Sequence, residues 1–232
     1  MILIRCIDFE TTGLPDADEP TAICQIGWCD VEIDSEITVC PPHSFLCDPG
    51  HEIPAVARAV HHISDADVGG ELAPVDGLKR ILIDPPHYFV AHNAKFEQAF
   101  FNGGSIPWIC TYKVALRLWP DAPAHSNQVL RYHLGLELRD DLAMPPHRAG
   151  PDAYVTAHIL KKMLETDGAS LETMEHWSSG PALLPKVTFG KHRGSKWEDV
   201  PSDYLYWIAT KSDLDDDTKA NARHHLKKRG AA

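Results

Sequence analysis

Asp8 and Glu10 stand one residue apart at the end of the apolar run Ile2–Asp8 and lead into Thr11-Thr12-Gly13-Leu14-Pro15. A strand's period of two puts both carboxylates on one face and Phe9 on the other. Two acids crowded on one face are costly unless a cation pairs with them. Taken alone, Asp-x-Glu is more often just a solvated strand end. A second acid group follows in Ala91-His92-Asn93-Ala94-Lys95-Phe96-Glu97. Here a strand runs into a helix, with Asn93 predicted as its N-cap, Glu97 in its first turn and Phe96 turned to the core. An ordinary capped helix with an acid near its positive end gives the same pattern. The third group is His147-Arg148-Ala149-Gly150-Pro151-Asp152. It puts Asp152 in the first turn of the last long helix and His147 on the loop before it. A lone histidine there is more often a loop residue than a base.

The three groups together are more informative than any one. Hydrolysis of a phosphodiester by the two-metal route needs several carboxylates around two cations ~3.5–4 Å apart. It also needs a base of near-neutral pKa to take a proton from the attacking water. Magnesium binds a few oxygen ligands plus substrate phosphate more readily than an all-protein cage. Asp8, Glu10, Glu97 and Asp152 as metal ligands, with His147 beside the last, supply those parts. Magnesium, or manganese in its place, at two ions per site, is the expected cofactor. Zinc is not expected, because Cys6, Cys24, Cys29, Cys40, Cys47 and Cys110 form no close pair and most lie in apolar runs. They read as buried, reduced thiols.

The order D-x-E, H-N-A-x-F-[D/E], H-x-x-x-x-D resembles the 3′→5′ exonucleases named for four acids and a histidine. The five-residue step from His147 to Asp152 matches the histidine branch of that family. Further blocks resemble its exodeoxyribonuclease-X-like members in the same order. They are Val60-His61-His62-Ile63-Ser64, Trp108-Ile109-Cys110-Thr111, Ala115–Pro120 and Thr188-Phe189-Gly190-Lys191 with Arg193-Gly194. The resemblance spans nearly the whole chain and implies a ribonuclease-H-like fold. It implies that Asp8, Glu10 and Asp152 ligate the metals and that His147 is the general base. It also implies that Thr11, Gly13 and Leu14 line the pocket for the terminal nucleotide, with Leu14 wedged against the bases. His61 would lie near that pocket and Asn93 near the substrate backbone. One departure stands out: the family has Asp where this chain has Glu97. The added methylene shifts the carboxylate by about one C–C bond, so Glu97 is expected to serve the second metal, directly or through water.

These residues need elements to position them. The pattern predicts strands over Ile2–Asp8, Ala22–Ile33 and a Pro-interrupted Thr38–Cys47, then helices over Ile53–Ala59 and Val75–Leu82. A short strand, Tyr88–Ala91, runs into a helix from Ala94 to Phe101, followed by helices over Lys113–Trp119 and Asn127–Leu134. Pro151 is expected to open a helix to Leu164, with Val155, Ile159, Leu160, Met163 and Leu164 as its apolar stripe. Strands first, then alternating strands and helices, make an α/β fold: a mixed central sheet flanked by helices. The expected division is a catalytic domain over 1–166, a linker with one short helix over 167–185, and a small basic module over 186–232.

The charge is divided along the same lines. The chain of 232 residues carries a net charge of −11, but residues 186–232 hold 10 Lys and Arg against 7 Asp and Glu, or +3. The preceding 185 residues therefore carry −14. An acidic body can hold a polyanion if metals neutralise its carboxylates and cations sit elsewhere. Lys191 and Arg193, among glycines, suit phosphate contacts that read no sequence. Trp207 is expected in the module's core rather than as a stacking platform, and the tail His224–Arg229 as a basic patch or a dipole-matched helix end. The expected partner is DNA with a free 3′ end, single-stranded or overhanging, with RNA 3′-end trimming and a non-catalytic binding module as the alternatives. No apolar stretch reaches the ~18–20 residues of a membrane span, and no signal peptide is read at the start. The cytoplasm is the default expectation.

Overall fold

The computed structural model describes residues 1–15 and 17–230. Its centre is a six-stranded mixed sheet. Strand β1 is Ile2–Thr11, β2 Ile23–Ile33, β3 Ile37–Val39 and β4 His43–Leu46. Helices α1 (Ala55–His61), α2 (Asp65–Val68) and α3 (Pro74–Arg80) precede β5 (Tyr88–Ala91) and α4 (Lys95–Phe100). Then come β6 (Trp108–Cys110), α5 (Thr111–Leu118), α6 (Asn127–His133), α7 (Asp140–Ala143), α8 (Ala149–Leu164) and α9 (Leu171–Ser179). The strand order is β3-β2-β1-β5-β6, with β4 also on β2. β1 pairs antiparallel with β2 and parallel with β5, and β5 parallel with β6.

The alternation along β1 sorts the two faces. Ile4 and Cys6 belong to the core under α8, whereas Ile7 and Phe9 belong to the core on the other side. Asp8 and Glu10 therefore continue the α8 face. Helix α8 holds that face through Val155, Ile159, Leu160 and Met163, each fully buried. At roughly 1.5–3 kcal/mol per large apolar side chain, this stripe anchors the helix that carries Asp152. Arg5 is buried on the opposite face and fully engaged. Its guanidinium bonds both Asp30 carboxylate oxygens at 2.8 Å and the carbonyls of Ile81 and Ile83.

Several expected boundaries shift for physical reasons. The single strand over Thr38–Cys47 is two, β3 and β4, because Pro41 and Pro42 donate nothing to a ladder. Helix α8 begins at Ala149, so Pro151 lies inside its first turn, where a missing N–H costs nothing. Asn93 does not cap α4; that position is Ala94. Asn93 instead takes φ +73°, a left-handed turn that asparagine tolerates better than most residues. The segment 167–185 is not a free tether throughout. Leu171 and Met174 of α9 join the main core, and Ser178 Oγ accepts the Cys110 N–H at 2.8 Å.

Residues from 186 onward build their own small core. Val187, Trp197, Val200, Leu205, Ile208, Ala209, Ala222 and Leu226 are buried together. The helices here are α10 (Ser202–Lys211) and α11 (Asp216–Lys228), preceded by a hairpin in which Lys186 faces Lys196. Trp197 takes the core position; Trp207, expected inside, is 42% exposed. The tail's Arg229 is a fastening, donating to the carbonyls of Val200, Trp197 and Glu198.

Candidate active site

The sheet brings the separated acids together at the end of β1. Asp8, Glu10 and Asp152 each offer a carboxylate oxygen, and the three lie within 4.8 Å of one another. Asp152 is held from both sides. Its Oδ2 accepts the His147 backbone N–H at 2.7 Å and its Oδ1 accepts Gln128 Nε2–H at 3.1 Å. Gln25 Oε1 accepts the Ala149 N–H at 3.1 Å, tying the start of α8 to β2. His147 is exposed, adopts φ +60° and lines a cleft with Asp8 and Asp152, its N–H staying on Asp152.

Glu97 lies on α4 with 3% exposure, and its Oε2 is buried without a hydrogen-bond partner. The expected faces of α4 are exchanged: Glu97 is the buried residue, and half-buried Phe96 lines a cleft beside Glu10. Burial holds Glu97 up to about 8, with Glu10's charge adding to the rise. Glu10 is also pushed up to about 8, by burial and then by Asp152, against the opposing charge of Arg148. Burial, then the charges of Asp152, Glu10 and Glu97, holds Asp8 well above the usual carboxylate range. Asp152 rises through burial despite its two donors. A cluster this reluctant to ionise, with an orphaned buried oxygen, is what divalent cations would satisfy. The donors are all oxygens, which suits magnesium or manganese rather than zinc.

Two clefts flank the carboxylates. One, of about 320 Å³, is lined by Phe9, Glu10, Thr11, Gly13, Leu14, Val56, Val60, His61 and Phe96. Thr11 Oγ1 donates to the Gly13 carbonyl at 2.8 Å, shaping the turn that presents Leu14 at 64% exposure. His61 is buried, accepts the Ile63 N–H at Nδ1, and is held below the usual histidine range by burial. It lines the pocket as a neutral ring. The second cleft, about 270 Å³, is lined by Asp8, His92, Ser126, Asn127, Gln128, His147 and Asp152. His92 is wired between Thr111 Oγ1 at 3.0 Å and the His125 carbonyl at 2.8 Å. Burial takes it down to about 4, so it is a neutral structural ring.

Thr11, Gly13, Leu14 and His61 thus come together beside Glu10. Asn93 lies with Lys95 and Phe96 at an adjoining opening. Lys191 and Arg193 lie in the module's hairpin loop and are not among the residues lining either cleft. Gln128, Gln25 and Phe96 join the site without having been expected there. The first two are polar residues whose spacing carries no signal; Phe96 reads from the sequence as a core residue.

Residues 6–160 match the family described as Exonuclease. The chain is 33% identical to Exodeoxyribonuclease 10 of Escherichia coli (strain K12), over 97% of this chain and 99% of that protein. A solved structure, Exonuclease X in complex with 5′ overhanging duplex DNA, superposes with a TM-score of 0.64 at 32% identity. It covers 75% of this chain and 99% of its own. The nuclease domain of 3′hExo, a DEDDh family member bound to rAMP, shares the fold at TM-score 0.57 and 17% identity. That likeness covers 72% of this chain and 93% of its own. Among the described residues, no helix is long and apolar enough to cross a membrane.

Proposed function

The chain belongs to the exonuclease family, and on that premise we propose that it is a magnesium-dependent enzyme removing nucleotides from DNA 3′ ends. The observation that carries the reading is the convergence of Asp8, Glu10 and Asp152 within 4.8 Å, beside a cleft that Leu14 and Phe96 wall. DNA rather than RNA rests on the likeness to an exodeoxyribonuclease over nearly the full length of both chains.

Asp8, Glu10 and Asp152 would hold the first of two divalent ions, and Glu97 would turn its buried oxygen to the second. Bound there, the ions supply Lewis-acid charge that offsets the growing negative charge on the scissile phosphate. The chain's own groups do the rest. His147, exposed on its left-handed turn, takes a proton from the attacking water. The water oxygen bonds to phosphorus, the bond from phosphorus to the upstream 3′ oxygen breaks, that oxygen takes a proton from solvent to become the new 3′-hydroxyl, and a nucleoside 5′-monophosphate leaves. Thr11, Gly13 and His61 enclose the terminal nucleotide, Leu14 and Phe96 pack on its base, and Asn93 lies along the backbone. Gln128 and the His147 N–H keep Asp152 fixed in one rotamer. Lys191 and Arg193 contact phosphates further along the strand.

The test uses 5′-labelled single-stranded DNA and RNA of one sequence, with magnesium, with EDTA, and with His147→Ala. A ladder of shortening products on DNA, lost in EDTA and in His147→Ala, is the expected result. A ladder on RNA alone overturns the substrate, and no ladder on either overturns the catalytic reading.

A further inference from the structure

We propose that Trp207 and Tyr204 of α10 form a base-stacking platform for single-stranded polynucleotide, flanked by the cations of the hairpin loop. This deepens the proposed function, since the strand would be the one whose 3′ end lies in the carboxylate site. Tyr204 and Trp207 stack with ring centroids 5.4 Å apart and planes 27° from parallel. Lys191 Nζ sits 4.9 Å over the Tyr204 ring, and His192 packs edge-on against it at 4.7 Å. Gly190 permits this approach, because a Cβ there would lie 2.7 Å from the Tyr204 hydroxyl.

Tyr204 packs against the module's own core, but the burial pattern argues against that role for Trp207. Eight buried residues make that core, with Leu184, Phe189, Tyr204 and Leu214 packed against it. Trp207 belongs to neither group and is 42% exposed, while the core's tryptophan is Trp197 at 1%. A tryptophan left this open in a small unit wastes apolar burial the unit could use. Its surroundings show what would cover it. Lys191 and Arg193 are exposed on the adjoining loop, and Lys211 lies one helical turn after Trp207. Asp203, an acid, lies one turn before it. Planar rings beside Lys and Arg match a polyanion carrying planar bases better than a protein surface. Stacking also tolerates any sequence, as removal of successive terminal nucleotides demands. The acidic body, at −14, gives the strand little other purchase.

The experiment compares Trp207→Leu, which keeps apolar bulk but not the stack, with Trp207→Phe, which keeps a ring. Affinity for a long single-stranded oligonucleotide is read by fluorescence anisotropy in the His147→Ala background with magnesium. Cleavage of the long oligonucleotide and of a trinucleotide is read in the active enzyme. Trp207→Leu should weaken long-strand binding about tenfold and lower the long-over-short ratio of kcat/KM to match, with Trp207→Phe retaining most of both. Lys191→Gln should reduce the slope of log affinity against log salt by about one. Wild-type long-strand affinity in Trp207→Leu, or an unchanged long-over-short ratio, overturns the platform. If the wild-type enzyme cuts neither DNA nor RNA, the catalytic reading fails, and the binding arm still decides the platform.

Discussion

Gly27 lies directly across from Asp8 in the pairing of β1 with β2, and the space where its side chain would be is filled by Ala149. A Cβ added to Gly27 would stand 2.2 Å from the Ala149 carbonyl carbon and 2.4 Å from the Gly150 nitrogen. The start of α8 can therefore lie on the sheet only because this position has no side chain. That contact is what carries Asp152, three residues further along, to Asp8 and Glu10. Gly27→Ala must push backbone, which is far less forgiving than a side-chain tip. It should destabilise the protein by about 1–3 kcal/mol. Its apparent magnesium affinity, measured by activation of cleavage, should fall by more than the stability loss alone explains. Normal magnesium activation in a folded Gly27→Ala would show that α8 is positioned by something else.

Glu97 separates charge from shape. In the metal-free protein its folded-state pKa of about 8 lies above the ordinary value near 4.5. The folded state then binds more protons than the unfolded one, so stability falls as pH rises between those values. Glu97→Gln removes that term while keeping the shape. Without metal, the variant should match wild type near the low end of this window and exceed it by at least about 1 kcal/mol above the high end. With magnesium the advantage should shrink, and cleavage by the variant should drop about a hundredfold or more. Wild-type cleavage by Glu97→Gln would remove Glu97 from the metal site. Denaturant melts across pH, with EDTA and with magnesium, supply the stabilities.

Much of this site is legible in the chain because its parts obey local periods. Asp8 and Glu10 are readable from strand alternation. Asp152 is readable from a helix long enough to show its stripe. Helix α4 has only six residues, too few for a period, so the exchange of Phe96 and Glu97 is settled by tertiary contact alone. A buried acid reads as an outward one until its neighbours are known. Strand β6 has three residues and leaves no alternation to detect. Gly27 reads as an ordinary strand glycine, since its reason lies 122 positions away on α8. Trp207 and Trp197 share one composition, and only packing tells which of them is inside.

Metal binding should release protons. At neutral pH, Glu10 and Glu97, both near 8, are largely protonated in the metal-free site, and burial beside the other acids also raises Asp8. A divalent ion must displace those protons, so affinity rises with pH until the carboxylates ionise by themselves. Calorimetry at pH 7 in two buffers of different ionisation enthalpy should show net proton release on adding magnesium. The release should fade above about pH 9. Stripping the metal with EDTA should lower the Tm, more at the alkaline end, where the uncompensated carboxylates repel. Binding with no proton release at pH 7 would show that the acids are already ionised and the repulsion relieved some other way.

Leu14 isolates the role of the cleft wall from that of the metals. At 64% exposure it contributes little to the core, so Leu14→Ala should leave the Tm within about 2 °C of wild type. Its side chain faces the same cleft as Phe96, and together they would grip the terminal base. On single-stranded DNA the variant should raise KM a few-fold while kcat stays near wild type, because the carboxylates and His147 are untouched. On a duplex end the terminal pair must open first, and a wedge contributes to that opening rather than to the chemistry. There kcat/KM should fall about tenfold or more, since an apolar wedge offsets an unstacking cost of roughly a few kcal/mol per step. Equal losses on single-stranded and duplex ends would mean that Leu14 merely packs on the nucleotide. No loss on either would place the base elsewhere.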